Sequence, residues 1–410
     1  MPEINTGDTA WVLASMALVM LMTPGLGFFY GGLVRKKNVL STIMHSFFIL
    51  CLISIVWALW GFTLAFGEDR GGIIGGFDYL GLKDVGGEPH SIYGVTIPFA
   101  LFMLFQMMFA IITAALITGA FAERKRFKAF ALFAILWSTF VYSPIAHWVW
   151  AAGGWLADYG ALDFAGGTVV HIASGVSALV AAKLLGKRVG FGQEKMDPHD
   201  VTMTVLGAGL LWFGWYGFNA GSALGANGLA ANAAVVTTLA AAMGALTWMT
   251  VSWWRHGHPS VLGVAVGAIA GLVGITPAAG FVSPASSIAI GFGAGLICFF
   301  AVDLLKEGAG IDDALDVFAV HGVGGIWGAI ATGIFAKQSI NGIGADGLLY
   351  GNASQLWKQI VAVGATILYA AIASFVILKV IDLLIGLRVN ESEEVLGLDS
   401  SQHGEVAYQL

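Results

Sequence analysis

The chain has 410 residues, 58% of them hydrophobic and only 11% Asp, Glu, Lys or Arg, with a net charge of −6. A soluble domain carries about 25% charged residues to solvate its surface, so a water-solvated globular chain is excluded and lipid is expected to cover most of this one. Glycine is abundant, at 57 residues, which in a membrane fits closely packed helices rather than loops.

The N-terminus, MPEINTGDTAWVLAS, has no basic segment before its first apolar run and no small-residue cleavage site after it, so no cleaved signal peptide is expected. Eleven apolar runs follow, at about 8–33, 40–66, 95–122, 129–150, 164–186, 201–222, 230–254, 260–278, 284–305, 315–336 and 356–386. At 1.5 Å per residue each is long enough to cross a hydrocarbon core of about 30 Å. The stretches near 67–94 and 337–355 are polar, glycine-rich connections. Cys51 and Cys298 both fall inside apolar runs, read as small core residues, and give no disulfide or metal framework.

All but four of the 19 lysines and arginines follow an odd-numbered run, as do Arg35-Lys36-Lys37 and Arg124-Lys125-Arg126; the exceptions are Arg70, Lys83, Lys337 and Lys358. Basic residues concentrate on the cytoplasmic side. The expected topology is therefore an all-α polytopic membrane protein of eleven transmembrane helices, N-terminus outside and C-terminus cytoplasmic.

The fifth run contains Val170-His171-Ile172-Ala173-Ser174-Gly175 and the tenth Val320-His321-Gly322-Val323-Gly324-Gly325, each preceded by an aspartate, Asp163 and Asp316. Five spans is an odd number, so repeats of this size have opposite orientations, with sites expected near the midplane where they meet. The expected organisation is a transmembrane domain over 1–386, with repeat one at about 8–186, repeat two at about 201–336 and an eleventh helix at about 356–386. A polar tail over 387–410 completes it.

Of nine histidines, only His171 and His321 fall well inside spans. Ionisable groups there are costly and usually face a pore or the bundle interior. Two buried histidines hydrogen-bonded within the bundle is one reading. The other is a pair lining a narrow pore, where neutral imidazole offers one donor and one acceptor to a small polar molecule or relays a proton. Metal or haem ligation competes, but no third strong ligand and no haem-attachment motif accompanies them, and no cofactor is expected. Aromatic residues form a second feature. Phe105 and Phe109 share a helical face, Trp148 and Trp150 end the fourth run, and Trp215, Phe218 and Ser222 lie at the end of the sixth. They read either as an interfacial aromatic belt or as a cation–π site for a small cation.

Several long stretches decide between these readings: Gly27-Phe28-Phe29-Tyr30-Gly31-Gly32-Leu33-Val34-Arg35, Gly119-Ala120-Phe121-Ala122-Glu123-Arg124, Asp163-Phe164-Ala165-Gly166-Gly167-Thr168-Val169-Val170-His171, Gly214-Trp215-Tyr216-Gly217-Phe218-Asn219-Ala220-Gly221-Ser222, Gly274-Ile275-Thr276-Pro277 and Asp316-Val317-Phe318-Ala319-Val320-His321-Gly322. Together they resemble the ammonium transporter (Amt/Mep/Rh) superfamily, on its bacterial and archaeal Amt branch, along nearly the whole chain. The resemblance implies an external recruitment site of Phe109, Trp150 and Ser222, with Phe105 beside it. Trp148 is the less favoured alternative to Trp150. It implies a phenyl gate of Phe109 and Phe218, pore-lining Trp215 and Thr276, and twin histidines His171 and His321. Asp163 is read as a helix N-terminal carboxylate that orders the vestibule.

The expected function is ammonium or ammonia transport at the cell membrane, not enzymatic catalysis. Ammonium would be deprotonated near the gate, ammonia conducted past the histidines, and the proton carried separately, making transport electrogenic. A sensor of the same fold is the alternative; sensors usually carry an added signalling domain, and only about two dozen residues follow the last run. The resemblance also implies a homotrimer and control by a cytoplasmic PII-type protein. No nucleic-acid partner is expected.

Overall fold

The computed structural model describes residues 3–408, and among them ten helices are long and apolar enough to cross a membrane. Counting the shorter apolar helix Val261–Ile275 as α8, the helices in chain order are α1 (Thr6–Leu33), α2 (Lys36–Phe66), α3 (Phe99–Phe121), α4 (Phe127–Tyr159), α5 (Gly167–Leu185), α6 (Val201–Ala223), α7 (Gly228–His256), α8, α9 (Pro284–Gly308), α10 (Phe318–Phe335) and α11 (Ala353–Ile385). The expected run at 260–278 is shortened. α8 has 15 residues, roughly 22 Å of helix, short of the hydrocarbon thickness. Pro277 lacks the N–H that would continue it, and the chain leaves the helix in turns through Ala278 and Phe281. The carbonyl thus freed at Pro277 accepts the N–H of Phe164, just before α5.

The connection after α2 folds as a two-residue hairpin, Asp69–Arg70 against Ile74–Gly75, on the face where α1 begins, called here the N-face. His147 of α4 reaches it, with Nε2 2.9 Å from Asp69 Oδ1 and Nδ1 2.9 Å from the Ala65 carbonyl. Cys298 is buried, whereas Cys51 is exposed on the outer surface of α2 and is no core residue; both are free thiols.

α5 and α10 are built alike. Each opens with a π-helical turn that carries its histidine, Gly167–Ile172 or Phe318–Gly322, and continues as a 13-residue α-helix. They cross closely at the glycine ending each V-H-x-x-[SG]-G segment. A Cβ on Gly175 would sit 2.2 Å from the Gly322 nitrogen, and one on Gly325 would sit 2.9 Å from the His171 Cβ. No larger residue fits at this crossing.

The structure corrects the aspartate of this internal repeat. The histidines lie 150 residues apart, and the same offset takes Asp163 to Asp313, not Asp316. Asp163 accepts the Thr168 N–H at 2.7 Å and Asp313 the Phe318 N–H at 2.7 Å, each five residues on. Asp316 instead corresponds to Gly166, and both have positive φ, 59° and 112°.

On the opposite face, the tail face, the chain after α11 packs down as a short helix, Glu391–Leu396, and a turn at Asp399–His403. Asp399 accepts the Leu40 and Ser41 N–H groups that open α2, supplying the side-chain acceptor that the helix start otherwise lacks. Glu394 accepts the Val189 N–H and pairs with Arg388 at 2.7 Å. Beneath the tail lies a buried ionic network. Glu123 pairs with Arg35 (2.7 Å) and Arg188 (3.1 Å), and Arg188 pairs with Asp312 (2.8 Å). Arg124 adds bonds to the Gly186 and Asp312 carbonyls. Burial alone would raise the carboxyl pKa of Glu123, but Arg188 and Arg35 outweigh it and hold it below the usual carboxylate range.

Candidate functional site

Three cavities lie in series through the bundle. The first opens on the N-face, has a volume of about 570 Å³, and is lined by Phe105, Phe109, Trp150, Asp163 and Ser222 among others. The second is an apolar lumen of about 10 Å³ lined by Phe218, Trp215, His171 and His321. That is roughly the space of one water-sized molecule. The third, about 80 Å³ on the tail-face side, shares Phe29, Ile269 and His321 with the second and adds Tyr30 and Asp316.

Phe109 and Phe218 separate the first cavity from the second. Their rings stack with centroids 4.3 Å apart at 25°, and both side chains are buried. Phe105 packs edge-on against Phe109 at 5.0 Å and Trp150 at 5.8 Å, so one phenyl ring joins the cavity wall to the constriction. Phe218 sits in a π-helical turn, Tyr216–Ala220, and its carbonyl accepts the Ser222 hydroxyl at 2.8 Å. Four of these aromatic residues thus form one cluster rather than a belt facing lipid. Trp148 is different: it donates to the Ile73 carbonyl and packs on Trp155 and Tyr369, outside the cavity lining.

Asp163 organises the start of α5. Its two oxygens accept the N–H groups of Gly166 (2.8 Å), Gly167 (2.6 Å), Thr168 (2.7 Å) and Val169 (3.3 Å), and also the Thr168 hydroxyl. Its own carbonyl accepts the Trp150 indole N–H at 3.0 Å. One residue therefore caps the helix that carries His171 and orients the tryptophan of the cavity wall. In Asp163→Asn one acceptor becomes an NH₂ facing backbone donors. Leaving such buried groups unsatisfied costs about 1–3 kcal/mol. The expected result is a lower unfolding temperature together with at least a several-fold loss of ammonium uptake; uptake and stability both at wild-type values would refute this role.

Below the phenyl pair, His171 and His321 meet through their Nδ1 atoms at 3.2 Å, with ring centroids 5.3 Å apart. One Nδ1 must donate and the other accept, so with both rings neutral they hold opposite tautomers. One Nε2 is then a donor and the other an acceptor. His171 Nε2 receives no hydrogen bond from the protein and belongs to a lumen-lining ring. Trp215 stacks on His171 at 5.6 Å, and Thr276 fixes the indole by accepting its N–H at 2.9 Å. Thr276 reaches the pore through Trp215 and is not among the lumen-lining residues.

Sequence reasoning overlooked Gln106. It lines the N-face cavity, and its Oε1 receives no hydrogen bond from the protein. Its signal was a lone amide in the otherwise apolar helix Phe99–Leu116. Tyr30 and Phe29, read only as part of a motif, line the third cavity.

A polytopic helical bundle with paired imidazoles in a closed, water-sized apolar lumen defines a membrane transporter of a small polar solute. The profile described as Ammonium Transporter Family matches residues 10–408, and the chain belongs to that family. It is 56% identical to the ammonium transporter of Bacillus subtilis, with 99% of each chain covered. It is 50% identical to the ammonium transporter Amt1 of Archaeoglobus fulgidus over 99% of this chain and 100% of that one. Its fold matches the crystal structure of Candida albicans Mep2 with a TM-score of 0.90 at 42% identity, covering 99% of this chain and 91% of that one. A structure described as a sensor Amt protein also matches, with a TM-score of 0.89 at 28% identity, covering 97% and 98%. The protein is a multi-pass membrane protein that transports ammonium, and not an enzyme.

Proposed function

We propose that ammonium is collected in the N-face cavity, loses a proton at the stacked phenyl pair, and passes the histidines as ammonia while the proton crosses separately. The N-face is then external, since the basic residues concentrate on the tail face. Phe109 and Trp150 present aromatic faces and edges around a volume large enough to strip a cation's water in stages, and aromatic faces attract such cations. Gln106 and Ser222 supply acceptors for its N–H groups. Beyond Phe218 the wall is apolar, and an uncompensated charge there carries a heavy desolvation penalty that a neutral amine largely escapes.

The observation that carries this reading is the Nδ1–Nδ1 contact in a lumen with room for about one small molecule. Its unpartnered Nε2 offers ammonia a hydrogen bond in an otherwise greasy passage. Potassium matches ammonium in charge and size but has no proton to lose and no N–H to donate. In the homotrimer the resemblance implies, the three copies of the outer site and lumen would act independently, because each chain contains a complete series of cavities. Control by a PII-type protein would act from the tail face, where the third cavity lies.

Reconstituted proteoliposomes provide the test. An ammonium step is expected to evoke an inward current, and an equal potassium step none. Equal currents from both ions would overturn the reading.

A further inference from the structure

We infer that Asp313 is the proton-relay carboxyl at the cytoplasmic end of the pore, the working counterpart of the fixed carboxylate Asp163 at the outer end. The inference rests on the charge-separating reading above and extends it to a named exit for the proton.

The internal repeat places the two aspartates in equivalent positions, but their surroundings differ. Asp163 is committed on both oxygens, with five hydrogen bonds to the first turn of α5. Asp313 uses Oδ2 for the Phe318 N–H, while its Oδ1 receives no hydrogen bond from the protein although the residue is only 1% exposed. A buried carboxylate oxygen without a donor is costly, and protonation relieves that cost. Asp316 is less suited to the task, because its Oδ2 is held by Lys306 at 2.8 Å.

The charged and titratable groups around Asp313 come from four segments. Asp316 lies on its own loop, Lys306 at the end of α9, Arg124 on the connection after α3, and Tyr30 on α1. Tyr30, Asp316 and His321 line the cavity of about 80 Å³ at this end, while Asp313 lies outside that lining and neighbours it through Asp316 and Tyr30. Burial, with Asp316 close by, pushes the Asp313 carboxyl up to about 6, within reach of cytoplasmic pH. The step conserves protons. Deprotonation of ammonium outside breaks one N–H bond. The relayed proton forms an O–H bond on Asp313 Oδ1. That bond then breaks, and the proton passes to cytoplasmic water or to the emerging ammonia, re-forming an N–H bond and restoring the carboxylate.

The test measures ammonium-evoked current and ammonia flux in the same proteoliposomes. In Asp313→Asn the amide oxygen can still accept the Phe318 N–H, but the relay is gone. The ratio of charge moved to ammonia moved is expected to fall about tenfold or more, as for loss of a proton-transfer group. Asp313→Glu is expected to restore much of it. In the wild type, current should drop as the inner pH falls through about 6, because the relay then stays protonated, and this step should be missing in Asp313→Asn. A wild-type charge ratio in Asp313→Asn overturns the inference. If that variant does not fold, a wild-type current that is flat across this inner-pH range overturns it instead. A wild-type protein that carries ammonia with no current at all would sink the charge-separating reading itself, a distinguishable result.

Discussion

Replacing His171 with alanine is expected to abolish most ammonium-evoked current while leaving the protein folded. The imidazole supplies the unpartnered Nε2 in the lumen and one half of the Nδ1 contact. Removing it takes one hydrogen-bond partner for ammonia out of the lumen and leaves His321 Nδ1 unpaired. Each lost bond to a buried polar group costs about 1–3 kcal/mol, and each 1.36 kcal/mol in a barrier is about tenfold in rate. Losses of about 10- to 100-fold follow. The substitution also enlarges the lumen from its present volume of about 10 Å³, so water and ions gain access. A potassium current should therefore appear where the wild type has none. Proteoliposome currents with both ions, read alongside the unfolding temperature, check this. An unchanged ammonium current and no potassium leak would remove the histidines from the pathway.

Glu123→Ala is expected to have the largest effect on stability. Glu123 is fully buried, accepts the Arg35 backbone N–H at 2.6 Å, and pairs with both Arg35 and Arg188. The Arg35 and Arg188 side chains are only 19% and 6% exposed, so water screens little of the imbalance its removal leaves. Removing one partner of a buried ion pair costs about 3–5 kcal/mol. The network joins the loops that follow α1, α3 and α5 to the loop carrying Asp312 and Asp313. Its loss should therefore loosen the approach to α10. Asp312 is shifted in the same direction as Glu123: burial alone would raise its pKa, but Arg188 and Arg124 outweigh it. A carboxylate depressed in the folded state contributes stability above its unfolded pKa of about 4 and loses it as pH falls through the lower folded value. The contribution of Glu123 and Asp312 should thus stay steady from neutral pH down to about 5 and be lost on further acidification. Glu123→Ala should start lower and show a weaker acid dependence. Equal unfolding temperatures for the two proteins at neutral pH would contradict this account.

Much of the site was readable from local sequence. His171 and His321 stand out because an ionisable residue inside an apolar run is rare and costly, whereas the close crossing at Gly175 and Gly325 is visible only in the structure. Phe109, Trp150 and Ser222 line one cavity, and Phe218 stacks on Phe109. The pairing of Asp316 with Asp163 failed for a physical reason. Three aspartates, Asp312, Asp313 and Asp316, fall within five residues, and only the hydrogen bond to the N–H five positions on distinguishes the helix cap from the ion pairs with Arg188 and Lys306. The shortness of α8 was hidden because hydropathy does not register that Pro277 ends the helix. Cys51 was misplaced because an apolar run facing lipid and one facing the core have the same composition.

Composition, apolar run length and the placement of basic residues determined that this chain is a membrane-spanning helical bundle, because the bilayer imposes those requirements on any sequence it holds. They also singled out the two histidines. What only the tertiary structure decided is which side chains share a space. The stacking of Phe109 on Phe218, the lumen with room for about one small molecule, and the free oxygen of Asp313 all depend on helices far apart in the chain meeting at particular angles. Hydropathy averages over a helix, whereas a pore is set by the few atoms at its narrowest point.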